Sequence, residues 1–396
     1  MLSRDRWLLP EGIDEMLSIE SRRLEVLRRR ILDLFATWGY ELVIPPLIEY
    51  MDSLLAGISP DLDRQTFKLI DPISGRLLGV RADMTPQVAR IDARSLNHEF
   101  PARMCYLGSV LHAQPDHLAK SRSPMQVGAE LYGHTGPASD LEVIRLMLEM
   151  LAVSGVTDVH LDLGHVGIYR GLARQAGLTS QQEADLFEIL QRKDRAEMWD
   201  MLNSIPLDPP ARDSLSALID LNGHDEILTL ARTRLAHAAP SVLAALDDLE
   251  WLQQHLRAQF PHLPLHFDLA ELRAYHYQTG VVFAAFVPAY GREIARGGRY
   301  DEIGSVYGRA RPATGFSSDL RIILSLIADD RDKASSASIF APNSDDPDLH
   351  ASIRVLRGQG RTVIQGLPDQ NGAASDMGCT HQLILRNGAW EIDLVA

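Results

Sequence analysis

Met125-Gln126-Val127-Gly128-Ala129-Glu130-Leu131-Tyr132 reads as one extended strand whose alternation gives it two unlike faces. Met125, Val127 and Leu131 point one way and suit a packed core. Gln126 and Glu130 point the other way, on either side of Gly128. Two polar side chains around a residue without one describe either a pocket floor with open space above it or a plain solvated face.

Outward from this strand, the first half of the chain alternates strands, turns and a few helices. Leu24, Leu27, Ile31, Leu34, Phe35 and Trp38 recur at helical spacing over 15–38, and Gly39 ends the helix. Arginines 22, 23, 28, 29 and 30 are interleaved; they make a solvated face or a nucleic-acid contact. A short strand follows at Leu42–Ile44, stopped by Pro45-Pro46. Phe67–Ile70 and Leu77–Arg81 flank a turn and predict a hairpin. Thr85 as N-cap and Pro86 at the first position open a helix to Arg94. Arg103–Leu111 predicts the strand before Met125–Tyr132. Ser139 with Glu142 reads as a capping box ahead of the stripe Leu141, Ile144, Leu148, Leu151. Val159–Leu163 is a strand.

Composition then shifts: about 166–257 is amphipathic helix with breaks at prolines and Gly223, and predicts a helical insertion. Strand signals return at Leu263–Leu269, Val281–Val287, Glu293–Gly297 and Ala313–Ser317, with a helix over Asp319–Ile327. The fold class expected is α+β, an antiparallel-rich sheet flanked by helices over 1–328. A linker is expected at 329–338 and a small α/β unit at 339–396.

Composition narrows the function. The 396 residues are 45% hydrophobic and 23% charged, ordinary for a globular protein. Asp and Glu outnumber Lys and Arg 53 to 39, so the mean field at net charge -14 repels nucleic acid and anionic membranes. Cys105 and Cys379 are too few for a disulfide framework or a thiolate metal site. Arg4, Asp5 and Arg6 stand where a signal peptide would need an apolar run, and no stretch approaches the ~18 apolar residues of a membrane span. No P-loop, dinucleotide-binding glycine motif, HExxH or nucleophile elbow is present. His262 and His266, four apart beside prolines, read as solvated or core histidines. No cofactor, metal or catalytic residue is expected, and a cytoplasmic location is.

Four segments stand together in order: Gly39–Pro46; Arg81-Ala82-Asp83-Met84-Thr85-Pro86-Gln87; Tyr106-Leu107-Gly108 with Gln126-Val127-Gly128-Ala129-Glu130; and Leu272–Tyr277 followed by Gly297-Gly298-Arg299-Tyr300-Asp301 and Ala313–Phe316. Gly297-Gly298 marks a close backbone approach or an ordinary turn. This ordered set resembles the catalytic core of class II aminoacyl-tRNA synthetases of the histidyl type, over about 5–328. The resemblance implies an antiparallel sheet flanked by helices and a dimer through the first motif.

The sequence departs from that family where ATP would be held. The second motif's arginine and glutamate align with Leu111 and Ala113, and the third motif's arginine with Ile322; its glycine has become Asp319. Adenylation depends on positioned positive charge. Each lost donor costs roughly 100- to 1,000-fold. Arg321 adjoins the lost position but points about 100° away on a helix. Residues 339–396 resemble a truncated anticodon-binding domain, with seven carboxylates against four arginines.

By the same resemblance the amino-acid pocket is largely kept, with Asp83 where the synthetases have a glutamate. By resemblance, Asp83, Thr85 and Gln126 would receive the ammonium of free histidine and Glu130 an imidazole N–H. Arg273 would pair with the carboxylate. Tyr277 and Gln278 align with the synthetases' tyrosine pair, the second of which contacts imidazole. Keeping this pocket without the ATP site resembles the regulatory subunits of ATP phosphoribosyltransferase. That resemblance implies a non-catalytic chain that activates a short catalytic subunit in a hetero-octamer, four of each, with L-histidine as feedback effector. The alternatives are a diverged histidyl-tRNA synthetase, or a pseudo-synthetase binding RNA or another partner.

Overall fold

The computed structural model describes residues 8–55, 60–95, 99–115, 121–270, 278–327 and 338–395. It divides into two units, Met1–Ile327 and Ala328–Ala396. Arg273 and Tyr277, and the expected linker apart from Ser338, lie outside the described residues.

The first unit opens with helix α1 (Ser18–Thr37), whose Leu24, Leu27, Ile31 and Phe35 are all buried on one stripe. Gly39, at φ +77°, turns the chain out of the helix and donates to Ala36 O at 3.0 Å. Strand β1 is shorter than expected, Glu41–Leu42, because only one further residue, Val43, bonds to Cys105 before the prolines. Next come β2 (Ile48–Tyr50), the short helices α2 (Met51–Leu54) and α3 (Pro60–Gln65), and the hairpin β3 (Phe67–Ile70) and β4 (Leu77–Val80). These strands form a small antiparallel sheet in the order β2-β4-β3.

Helix α4 (Thr85–Ser95) leads to β5 (Ala102–Ser109), β6 (Met125–Tyr132), α5 (Pro137–Val153) and β7 (His160–His165). Six helices follow: α6 (Val166–Gln175), α7 (Ser180–Arg192), α8 (Arg195–Ser204), α9 (Pro209–Ala217), α10 (Glu226–Arg234) and α11 (Pro240–Gln259). The two-residue strand β8 (Asn222–Gly223) interrupts them. Strands β9 (Leu265–Asp268), β10 (Val281–Val287), β11 (Tyr290–Arg299) and β12 (Ala313–Asp319) and helix α12 (Leu320–Leu326) complete the unit.

Nine strands make one sheet in the order β1-β5-β6-β12-β11-β10-β7-β9-β8. Strands β5 to β7 of that order pair antiparallel throughout; β1 joins β5, and β9 joins β7, in parallel. The alternation read from β6 holds. Val127, Ala129 and Leu131 enter the main core with α1 and α5, and Phe316 of β12 meets Phe35 edge-to-face at 6.1 Å. On the other face a smaller cluster, including Met84, Val88, Met104, Tyr106, Tyr132 and Tyr300, surrounds Glu130. Gly297 and Gly298 lie inside β11, so the close approach and not the turn is what they serve.

Two capping expectations fail. Helix α5 starts at Pro137, which places Ser139 inside it, and its N-cap Gly136 makes no side-chain cap. Ser139 Oγ instead lies 2.7 Å from Arg299 Nη2, and Glu142 takes both Arg103 Nε at 2.7 Å and Nη2 at 2.8 Å. Thr85 sits within α4, and its N–H donates to Asp83 Oδ1 at 3.0 Å. In both places a long-range polar partner claims the hydroxyl that local pattern assigns to the helix end.

Arg299 and Asp140 are both buried and meet at 3.0 Å. The guanidinium also donates to Gly136 O at 2.9 Å and Asp301 Oδ1 at 3.2 Å, tying β11 to the start of α5. Burial pushes the Asp140 carboxyl up, with Arg299 acting against it. Arg299→Met would leave that carboxyl uncompensated. The expected cost is about 3–5 kcal/mol, read as a lower urea midpoint for the first unit.

The arginines of α1 are partly used within the fold. Arg30 donates to Val153 O at 3.0 Å and Arg23 to Ile327 O at 3.4 Å, while Arg28 and Arg29 flank Glu25. No helix among the described residues is long and apolar enough to cross a membrane.

In the second unit, β13 (Ile339–Ala341), α13 (Pro347–Gly358), β14 (Val363–Gln365), β15 (His381–Arg386) and β16 (Ala389–Leu394) form a four-stranded sheet with one helix, in strand order β14-β13-β15-β16. Asp346 caps α13 by accepting from Asp348 N–H at 2.9 Å, with Pro347 at the first position. Leu349 and Ile353 of that helix pack on Ile339, Ala341, Val363 and Leu383.

Candidate functional site

A cavity of about 280 Å³ opens on the polar face of β6, β11 and β12. Its floor exists because two glycines make room for side chains from other strands. A Cβ on Gly128 would come within 2.4 Å of the Tyr106 hydroxyl, and one on Gly315 within 1.5 Å of Glu130 Oε2. Glu130 and Tyr106 therefore occupy space that any larger residue at those positions would fill.

The polar groups form one chain of hydrogen bonds. Gln126 Oε1 accepts from Met84 N–H at 2.9 Å, and Gln126 Nε2 donates to Asp83 Oδ1 at 2.7 Å. The Thr85 hydroxyl lies 3.0 Å from the Tyr106 hydroxyl, and Tyr106 donates to Glu130 Oε1 at 2.9 Å. The Tyr300 hydroxyl donates to Glu130 Oε2. The segment before α4 supplies Asp83, which fixes Gln126 and the first turn of that helix with one oxygen.

Glu130 is 1% exposed. Burial pushes its carboxyl up to about 8; the hydrogen bonds from Tyr300 and Tyr106 pull it down, and burial outweighs them. The same burial, with the neighbouring Glu130 charge, holds the Tyr106 and Tyr300 phenols well above the ordinary range. Gln278 also lines the cavity. Its backbone carbonyl accepts from Arg170 Nη1 at 2.6 Å, but its buried side-chain Oε1 has no partner among the described residues. An orphaned buried acceptor costs free energy that a ligand N–H would recover.

The positions that the resemblance assigns to phosphate-holding arginines carry Leu111 and Ile322. Ile322 lines the cavity. Leu111 is held to β4's end by its backbone, N–H to Arg81 O at 3.0 Å. Asp319 caps α12, accepting from Arg321 N–H at 2.9 Å and Met125 N–H at 3.1 Å, and burial pushes its carboxyl up. Arg321 turns to Ser123, reaching its carbonyl at 3.1 Å and its Oγ at 2.9 Å, and does not replace the missing arginine. Among the described residues no group of three or more His, Cys, Asp or Glu could hold a metal ion. His266 is 3.5 Å from Asp162 and its charge is favoured by that carboxylate.

Five of the expected site residues, Asp83, Thr85, Gln126, Glu130 and Gln278, thus line one cavity. Arg273 and Tyr277 are outside the described residues. Tyr106 and Tyr300 carry no role in the sequence reading, although both stand in its quoted segments. Alternation places Tyr106 on one face of β5, but only the pairing of Tyr106 with Gly128 brings it under Glu130.

The sequence matches the family of histidyl-tRNA synthetases over residues 12–323. Residues 336–393 match the ATP phosphoribosyltransferase subunit HisZ C-terminal domain. A relative from Methylococcus capsulatus, an ATP phosphoribosyltransferase regulatory subunit, is 60% identical over 99% of this chain and 97% of its own. One of the same description from Pseudomonas fluorescens is 55% identical over the whole of both chains. The crystal structure of an ATP phosphoribosyltransferase regulatory subunit/histidyl-tRNA synthetase from Bacillus halodurans superposes with a TM-score of 0.83 at 26% identity, covering 96% of this chain and 97% of that one.

Proposed function

The chain belongs to the family of ATP phosphoribosyltransferase regulatory subunits, and from that premise we propose that its pocket binds free L-histidine and carries feedback inhibition to a separate catalytic chain. It is a non-catalytic subunit with a histidyl-tRNA synthetase-like α+β fold, serving ATP phosphoribosyltransferase in histidine biosynthesis. The observation that carries the proposal is one cavity lined by Asp83, Thr85, Gln126, Gln278 and the buried carboxyl of Glu130, with Leu111 and Ile322 where the resemblance puts phosphate-holding arginines.

In this reading Glu130 receives an imidazole N–H, and Gln278 Oε1 takes the other ring nitrogen's proton when the ring is charged. Asp83, Thr85 and Gln126 receive the ammonium, and Arg273 pairs with the carboxylate. Tyr277 stands beside Gln278. At about 280 Å³ the cavity has room for an amino acid.

The partner is a short catalytic subunit in a cytoplasmic hetero-octamer of four and four, with neither nucleic acid nor membrane. Self-dimerisation through the class II core is supported by an apolar side chain left in solvent within the first motif, Ile44 at 81% exposure. Inhibition works by linkage: histidine favours a less active assembly by ~1–3 kcal/mol, so catalytic substrates must weaken histidine binding by the same amount.

The test is phosphoribosyl-ATP formation by the short catalytic subunit from the same source, with and without this chain, across a histidine titration. Strong activation that histidine then suppresses is the expected result. No activation and no complex, together with histidine-dependent ATP–pyrophosphate exchange, would return the chain to the synthetases.

A further inference from the structure

Glu130 is buried without a cation: among the described residues no Lys, Arg or His makes an ion pair with it. The titratable groups around it are hydroxyls and one acid. Tyr106 faces it from β5, Tyr132 from its own strand, Tyr300 from the end of β11 and Asp83 from the segment before α4; Tyr40, after α1, is further off. Across the sheet stands Gly315, whose missing side chain is the space the carboxyl fills. Tyr300 is itself buried, its ring edge-on to Tyr132 at 6.5 Å, and neighbouring Arg299 is anchored to Asp140. The Tyr300 hydroxyl is thus delivered to Glu130 by a rigid frame.

We propose that Tyr300 is a positioning residue acting through Glu130: its hydroxyl fixes the carboxyl's orientation and charge so that pocket and ligand imidazole share a single proton. The inference rests on the histidine reading and adds the protonation state the site selects. Burial pushes the carboxyl up to about 8, above the ~6.5 of free imidazole. Between these values the empty pocket carries the proton and the ligand does not, so the complex forms with no net exchange. Below them both partners carry a proton and one must leave. Above them neither does, and one must be taken up. Affinity therefore peaks in that window and falls about tenfold per pH unit on each side.

Tyr300→Phe keeps the ring and removes the donor. The ionised carboxyl loses a stabilising bond, its titration moves higher, and the alkaline edge of the binding profile moves with it. A purely structural role would weaken binding by the same factor at every pH.

The experiment is calorimetric titration of the full chain with L-histidine from about pH 5.5 to about pH 9.5, in buffers of differing ionisation enthalpy. Wild type, Tyr300→Phe and Glu130→Gln are compared; the ligand's own ammonium titrates identically in all three. Wild type is expected to release a proton at the acid end and take one up at the alkaline end. In Tyr300→Phe the alkaline edge should lie higher by about half a unit, ~3-fold in relative affinity there. In Glu130→Gln the pocket's edge should vanish. Superimposable profiles for wild type and Tyr300→Phe would overturn the role given to Tyr300. If Tyr300→Phe does not fold, an unchanged edge in Glu130→Gln overturns the shared proton. Absence of histidine binding by wild type at any pH would reject the histidine reading itself, a distinct failure.

Discussion

Glu130→Ala abolishes histidine inhibition of phosphoribosyl-ATP formation and leaves activation of the catalytic partner in place; this is the largest functional effect expected of any single substitution. The carboxyl lines the cavity, and its two oxygens are aligned by Tyr106 and Tyr300. Removing it takes away the charged acceptor for an imidazole N–H, and charge-assisted hydrogen bonds of this kind contribute roughly 1.5–3 kcal/mol, or about 10- to 150-fold in affinity. Activation should survive because Glu130 is buried and offers no surface to another chain. The measurement is the histidine titration of the reconstituted enzyme with wild-type and variant subunits. A variant that fails to assemble would make Glu130 structural and refute its assignment to the pocket.

Gly315→Ala is expected to damage the fold and the site together. The added methyl would lie 1.5 Å from Glu130 Oε2, 2.6 Å from Cδ and 2.7 Å from the Tyr300 hydroxyl. Glu130 can escape the methyl only by giving up its hydrogen bonds to Tyr106 and Tyr300 and swinging into the cavity. Overpacking at such sites costs about 1–3 kcal/mol, and histidine response should be lost as well. The double variant Gly315→Ala with Glu130→Ala separates the two causes. Truncating Glu130 clears the clash, so stability should return toward that of Glu130→Ala alone, a non-additivity of at least about 1 kcal/mol by urea unfolding. Additive losses would show that Gly315 serves the strand and not the carboxyl.

The pocket was partly legible because some of its chemistry is written locally. Gln126 and Glu130 share a face by strand alternation alone, whatever strand pairs with them. Asp83 and Thr85 lie in one tripeptide before a helix start. Even there the local pattern assigns Ser139 to a capping box and Thr85 to an N-cap, whereas buried partners 160 and 21 residues away take the hydroxyls. A capping bond contributes about 1 kcal/mol, less than leaving a buried guanidinium or phenol unsatisfied.

What the amino-acid sequence determined by itself is therefore the main strands and helices and their apolar faces. Each depends on residue identity and short-range period. The tertiary structure alone decided that Tyr106 and Tyr300 converge on one carboxyl, that Gly315 opens the space it fills, and that its surroundings raise its titration toward neutrality. Those facts depend on register between strands far apart in the chain, and a strand's alternation names a face without naming the partner beside it.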